Sequence, residues 1–261
     1  MSGARRLKRG IYLLPTLFTV GNMFCGYSSI VHSAVGSLEV AAALVVIAAV
    51  LDGLDGRIAR MTGTQSEFGL QFDSLADIVS FGIAPALLAY QWALHPTRLG
   101  WSLAFLYVAC VAMRLARFNI ATTVSDKRYF VGLPSPMAGT VVACIVYAFP
   151  EPTQSKWLAA AFATLVFFVA ITMISRIRYR SFREVDLRSR RSYIYALPIA
   201  AILVSVALHP KAVLLALFTF YLLSAPTAYV WSLMRRRETR SRSTGDSETP
   251  DSGVADESAI R

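Results

Sequence analysis

The chain has 261 residues, 55% of them hydrophobic and 16% charged, with 26 Lys+Arg against 16 Asp+Glu for a formal net charge of +10. A mean hydropathy of +0.51 excludes an ordinary water-soluble domain. Residues 235–261 hold six basic and six acidic side chains, so the whole surplus lies among the apolar segments of residues 1–234, which marks membrane topology rather than nucleic-acid binding.

In chain order, a basic N-terminus over residues 1–12 leads into eight apolar stretches: 13–35, 38–58, 71–93, 99–118, 133–150, 157–175, 192–209 and 211–233. Each is near the roughly 20 residues that a helix needs to cross about 30 Å of hydrocarbon. Short connections make consecutive helices antiparallel neighbours, and helices suit lipid because they satisfy their own backbone hydrogen bonds. The predicted architecture is therefore an all-α polytopic transmembrane bundle over residues 13–233. The first stretch also resembles a signal peptide, with Arg5 to Arg9 ahead of it and Ala34-Val35-Gly36 near its end, but it is longer than the usual apolar core of one.

Orientation follows from the positive charges. With the N-terminus inside, 23 of the 26 basic residues fall on one side, and only Arg98, Lys156 and Lys211 fall on the other. Cytoplasmic loops accumulate Lys and Arg, so both termini are expected in the cytoplasm. The loop 176–191 interleaves Ile177, Tyr179, Phe182, Val185 and Leu187 with seven arginines, a pattern that fits a segment lying on anionic head groups. The tail 234–261 has almost no large apolar residue and is expected to be disordered. Cys25, Cys110 and Cys144 sit in separate apolar runs, too scattered for a disulfide framework or a thiolate metal site.

Four aspartates stand where a membrane protein rarely has them. Asp52 and Asp55 lie near the cytoplasmic end of the second stretch, and Asp73 and Asp77 open the third. Spacings of i, i+3 and i, i+4 put each pair on one helical face. Four converging carboxylates would repel one another unless divalent cations held them ionised, and all-oxygen ligands without Cys or His suit Mg2+ or Mn2+. Gly56 and Ala59 let a large ligand approach the helix backbone, Arg60 one turn beyond Gly56 can reach a phosphate, and Gly69 leaves similar room one turn before Asp73. Turn formation or helix capping can explain one such acid but not four with Gly, Ala and Arg at helical spacing. The pattern describes a pyrophosphate site at the membrane surface, with phosphoryl transfer assisted by two cations.

Residues 52–77, DGLDGRIARMTGTQSEFGLQFDSLAD, carry D-x-x-D-G-x-x-A-R-x8-G-x3-D-x3-D at all eight fixed positions, and so resemble the CDP-alcohol phosphatidyltransferase family. The resemblance implies an integral membrane enzyme that displaces CMP from a CDP-linked lipid with an alcohol. It further implies that Asp52, Asp55 and Asp73 hold the metals, that Asp77 completes the second metal site and acts as general base, and that Gly56, Arg60 and Ser66 contact the CDP portion. Homodimerisation is carried over with it, a bacterial or archaeal inner membrane is expected, and the charge distribution places the site on the cytoplasmic side.

The flanking segments FDSLADIVSFGIAPA (72–86), RLARFN (114–119), FVGLPSPMAG (130–139) and PTLFTVGNMFCG (15–26) look like the branch of the family that uses L-serine as the alcohol and CDP-diacylglycerol as the donor. Thr16 stands where that branch usually has Asn; Thr19 and Asn22 are expected at the cytidine end. Serine brings a carboxylate that a selective pocket must meet with a cation, for which Arg114 and Arg117 are available, with Asn119 and Ser80 able to hold the amino group. Direct attack is expected, since no Ser, Cys or His of the motif stands as a nucleophile, and His32, His95 and His209 fall at the opposite ends of their spans. A sister transferase accepting glycerol 3-phosphate or an inositol phosphate is the alternative within the class. A cation-coupled transporter is the alternative outside it, disfavoured because all four acids lie on one side and no inverted copy of the motif follows.

Overall fold

The computed structural model describes residues 3–64, 66–95, 98–121, 129–175, 178–180, 204–217 and 219–220. Contacts divide the chain into Met1–Ala225 and Pro226–Arg261, and the second unit, which contains the tail 234–261, lies outside the described residues. So do most of the basic loop 176–191 and parts of the two last apolar stretches, of which residues 204–208, 210–217 and 219–220 are helical.

The described residues up to 180 form α1 (Gly3–Ala34), α2 (Leu38–Thr62), α3 (Glu67–Leu94), α4 (Arg98–Ala121), α5 (Ser135–Ala148) and α6 (Lys156–Ile174). The departure from helix among the described residues is a short antiparallel pairing of β1 (Tyr129–Val131) with β2 (Arg178–Arg180), in register Tyr129 to Arg180. This pairing was not expected from a chain read as all-α. It joins part of the basic loop to the segment that leads into α5.

Among the described residues, three helices are long and apolar enough to cross a membrane, namely α3, the Leu99–Ile120 part of α4, and α6; α5 is apolar but shorter. At 14 residues it rises roughly 21 Å, less than the hydrocarbon thickness. The lengths of α1 and α2, 32 and 25 residues, would suffice, but both carry polar residues of the candidate site, and α2 has charged residues at Glu39, Asp52, Asp55, Arg57 and Arg60. The eight equivalent spans of the hydropathy reading are thus of different kinds.

α5 is buried nearly all round, from Ala138 through Cys144 and at Val146, as expected of a helix enclosed by others. It packs on α2 and on the middle of α3. α2 offers the small face Ala41, Ala42, Val45 and Ala48, all buried, which lets α1 pack along it. The outward surfaces reverse the pattern of a soluble protein. Leu17, Phe24 and Tyr27 of α1, Trp101 and Phe105 of α4, and Trp157 and Phe168 of α6 are all exposed, as suits helices bathed in lipid.

The central helix α3 is not regular. It is α-helical over Glu67–Asp77 and Ala84–Ala89 and widens to π-helix over Ile78–Ile83 and Tyr90–Leu94, the first widening starting directly after Asp77. Such bulges occur where a side chain must be re-aimed. Here the bulge brings Ser80 against α1, and a Cβ on Gly26 would overlap the Ser80 side chain and backbone, so only glycine permits this approach. Pro85 has no N–H to give to the Phe81 carbonyl one α-turn earlier. The fully buried Tyr107 hydroxyl of α4 supplies the donor at 3.1 Å.

The end of the bundle away from the aspartates is fastened separately. Trp92 Nε1 donates to Phe149 O at 2.6 Å, Thr153 N–H donates to Trp92 O at 2.9 Å, and Lys211 pairs with Glu39 at 2.6 Å beneath the Tyr147 ring. The Tyr107 bond yields a direct test. Tyr107→Phe should cost about 1–3 kcal/mol by leaving a buried carbonyl without its donor, seen as a lower thermal midpoint in detergent with unchanged turnover per folded molecule.

Candidate active site

α2 and α3 are joined by a turn that brings their acids together. One carboxylate oxygen from each of Asp52, Asp55 and Asp73 lies within 4.8 Å of the others. Asp55 and Asp77 are buried and Asp52 and Asp73 half-buried, and Oδ1 of both Asp73 and Asp77 is buried without a hydrogen-bond partner. Orphaned carboxylate oxygens at such spacing are unfavourable alone. A hard divalent cation answers them, because it takes oxygen ligands only. Asp52, Asp55 and Asp73 can therefore hold a metal ion; Asp77 is not one of this three-acid set.

α1 contributes from the other side. Thr19 Oγ1 is 3.0 Å from Asp55 Oδ2 and 3.1 Å from Pro15 O, so the hydroxyl expected at the cytidine end faces an aspartate here. An outer hydrogen bond of this kind orients a metal-ligating carboxylate. Asn22 is fully buried with neither side-chain atom hydrogen-bonded, and its backbone carbonyl accepts from Ser80 Oγ at 2.9 Å. Ser80 thus serves the α1–α3 contact.

On the solvent side, Arg60 is exposed, and its Nη1 would lie 3.5 Å from a Cβ added to Gly56. The guanidinium consequently lies over the bare helix backbone at Gly56, with the partly buried Ala59 beside it. Ser66 is the N-cap of α3, its Oγ accepting from Gly69 N–H at 3.0 Å. A Cβ on Gly69 would come within 3.1 Å of that oxygen, which gives this glycine a capping role in addition to the room it leaves.

The residues expected around serine divide into three. Arg114 is buried and donates from Nη1 to Ser135 Oγ at 2.9 Å, and Ser135 Oγ is 3.5 Å from Asp77 Oδ2. Arg117 donates to Ile174 O at 3.0 Å, a favourable position for a cation at the carboxyl end of α6. Asn119 exchanges hydrogen bonds with Ser74 at 3.0 and 3.2 Å and donates to Gln71 Oε1 at 3.1 Å, tying α4 to α3 on either side of Asp73. Ser135 was not singled out in the sequence. Its signal lay in GLPSP, where Gly132 and two prolines shape the entry to α5.

The profile of the CDP-alcohol phosphatidyltransferase family matches residues 12–174, more than half of the 261 residues. A CDP-diacylglycerol–serine O-phosphatidyltransferase of Helicobacter pylori (strain 26695) is 42% identical over 181 residues, 67% of this chain and 75% of its own. The protein of the same name from Mycobacterium leprae is 33% identical over 237 residues, 87% and 79% of the two chains. An archaetidylserine synthase of Methanothermobacter thermautotrophicus is 38% identical over 168 residues, 64% and 69% of the two chains. The matched region runs from within α1 to the end of α6 and includes all four aspartates, so this integral membrane protein belongs to the CDP-alcohol phosphatidyltransferase family.

Proposed function

We infer that this chain transfers the phosphatidyl group of CDP-diacylglycerol to the hydroxyl of L-serine, giving phosphatidylserine and CMP. The observation that carries this reading is the meeting of Asp52, Asp55 and Asp73 in a chain similar to enzymes named for serine. The bacterial relatives and the archaeal one differ in the lipid their names imply, yet all of the names contain serine. The acceptor is what they share.

Asp52, Asp55 and Asp73 would hold one Mg2+ or Mn2+, with Asp77 completing the site of a second. Bound there, the ions would neutralise the pyrophosphate and the charge on departing CMP. Arg60, lying over Gly56, is suited to a phosphate oxygen of the CDP portion, and Ala59 and Gly69 keep the helix surfaces low around it. Asp77 would accept the proton of the serine hydroxyl. The serine oxygen then bonds to the phosphorus that bears the diacylglycerol, and the bond from that phosphorus to the bridging oxygen breaks, releasing CMP. No covalent enzyme intermediate is required, since Cys25, Cys110 and Cys144 are buried away from the motif in sequence and no His belongs to it.

The charge distribution supports eight spans with both termini in the cytoplasm of a bacterium or archaeon, the site opening at the inner-leaflet surface so that acyl chains remain in lipid. A homodimer is proposed on the family resemblance. Arg117 and Arg114 are proposed to meet the serine carboxylate, with Asn119 beside them.

Purified protein given CDP-diacylglycerol, Mg2+ or Mn2+ and one alcohol at a time should release CMP with L-serine and not with glycerol 3-phosphate or an inositol phosphate, and chelation should abolish it. Asp77→Asn should lower kcat by about 10²–10⁴-fold, the usual range for a positioned proton acceptor. Replacing Arg117 by Ala should raise the serine KM by roughly tenfold, equivalent to the loss of one charge-assisted hydrogen bond; an unchanged KM with full turnover would remove Arg117 from the pocket.

A further inference from the structure

Between α4 and α3 runs a buried polar chain whose middle member, Ser135, has no part in the proposed transfer reaction. Arg114 Nη1 donates to Ser135 Oγ at 2.9 Å. A hydroxyl that accepts from a guanidinium still has its own proton to give, and the carboxylate within reach is Asp77, whose Oδ2 lies 3.5 Å away. Ser135 is fully buried, and Arg114 and Asp77 each keep only 7% of their surface exposed. The other oxygen of Asp77, Oδ1, is buried and has no hydrogen-bond partner.

Ser135 itself is firmly held. It is the first residue of α5. The segment before it crosses the carboxyl end of α6, where Leu133 N–H donates to Thr172 O at 3.3 Å. Gly132 has φ +87°, and a Cβ there would collide with the Met173 carbonyl oxygen, so the entry to α5 lies flush against α6. A group fixed by backbone contacts on one side can set the orientation of a side chain on the other.

Resting on the transfer reading above, we propose that Ser135 is a positioning residue for Asp77: it stands between Arg114 and the carboxylate, holds Oδ2, and leaves both lone pairs of Oδ1 for the second cation and the reacting hydroxyl. Direct pairing would let the guanidinium grip both carboxylate oxygens, as Arg commonly does, and Asp77 would have none left. The interposed hydroxyl turns that two-point grip into a single hydrogen bond while the positive charge remains close. The 3.5 Å separation belongs to the substrate-free state, in which catalytic hydrogen bonds are commonly long and tighten when the complex forms.

The test is a double-mutant cycle on the full chain in detergent micelles, with CMP release as the readout. Ser135→Ala should lower kcat by about 10- to 100-fold while KM for serine and for CDP-diacylglycerol stays within about threefold, and Ser135→Thr, which keeps the hydroxyl, should recover most of the loss. In an Asp77→Asn background, Ser135→Ala should cost less than about twofold more, because the serine acts through the aspartate. Unchanged kcat in Ser135→Ala, a loss confined to serine KM, or a full additional loss on Asp77→Asn would each overturn the proposal. Stabilisation by Mn2+ without substrate, read as a raised thermal midpoint, should survive in Ser135→Ala, since Asp52, Asp55 and Asp73 are untouched. If that variant fails to fold, Ser135→Cys replaces it in the same cycle. Ratios are taken with whichever acceptor the wild type uses, so failure of serine as acceptor would overturn the functional reading and leave the Ser135 ratios to decide their own question.

Discussion

Four carboxylates brought together at the edge of a membrane constrain this molecule more than any other feature. An acidic side chain in a spanning helix costs about 2.5–3.5 kcal/mol to insert at the bilayer centre, and neighbouring carboxylates add repulsion to that. Such an arrangement persists only when surrounding groups hold it in a form that a cation can complete. The nearby helices supply those groups: Thr19 of α1 reaches Asp55, Ser135 of α5 reaches Asp77 and takes a hydrogen bond from Arg114 of α4, and Asn119 brackets Asp73 through Ser74 and Gln71. Of the four helices α1, α4, α5 and α6, the first three give a side chain to an aspartate or its immediate neighbours, and α6 anchors Arg117 through Ile174 O.

Close helix packing is the means by which so many side chains reach one place. Gly26 allows α1 to meet the π-helical part of α3, and at Gly139 a Cβ would crowd Pro85 and Phe81 at 3.1–3.3 Å. Small residues at such crossings suit membrane bundles, where little hydrophobic force operates between helices and van der Waals contact must serve instead. The same crossings oblige α3 to depart from regular geometry just after Asp77, and that irregularity is stabilised by Tyr107. Packing and site geometry are therefore one problem in this fold. A residue such as Ser80, which the sequence offers as a substrate contact, is committed to the helix crossing by its bond to Asn22 O.

Membership of a transferase family explains why the polar end is so much more elaborate than the other. The opposite end is closed by Trp92, Phe149 and Thr153 and by the Lys211–Glu39 pair, contacts that hold helix ends and present no cluster of acids. Exposed aromatic and aliphatic side chains on α1, α4 and α6 face outward between the two ends. A lipid donor held at the polar end would keep its chains alongside such surfaces.

Helical periodicity, hydropathy and the spacing of eight motif residues were enough, read from the sequence, to establish a membrane-embedded helical chain, its family and the helix faces that carry the acids. These are local properties: the 3.6-residue turn decides which side chains share a face, and composition decides which segments avoid water. Partners from distant parts of the chain were not legible, because nothing local encodes which hydroxyl meets which carboxylate. The bond from Thr19 to Asp55 joins residues 36 positions apart, and the approach of Ser135 to Asp77 joins residues 58 apart. The shortness of α5, the widening of α3 after Asp77 and the β1–β2 pairing were equally invisible to hydropathy, since each answers to a neighbour in space. The sequence by itself determined what chemistry the aspartates can do; only the tertiary structure decided which side chains orient them, because that depends on how closely the helices cross.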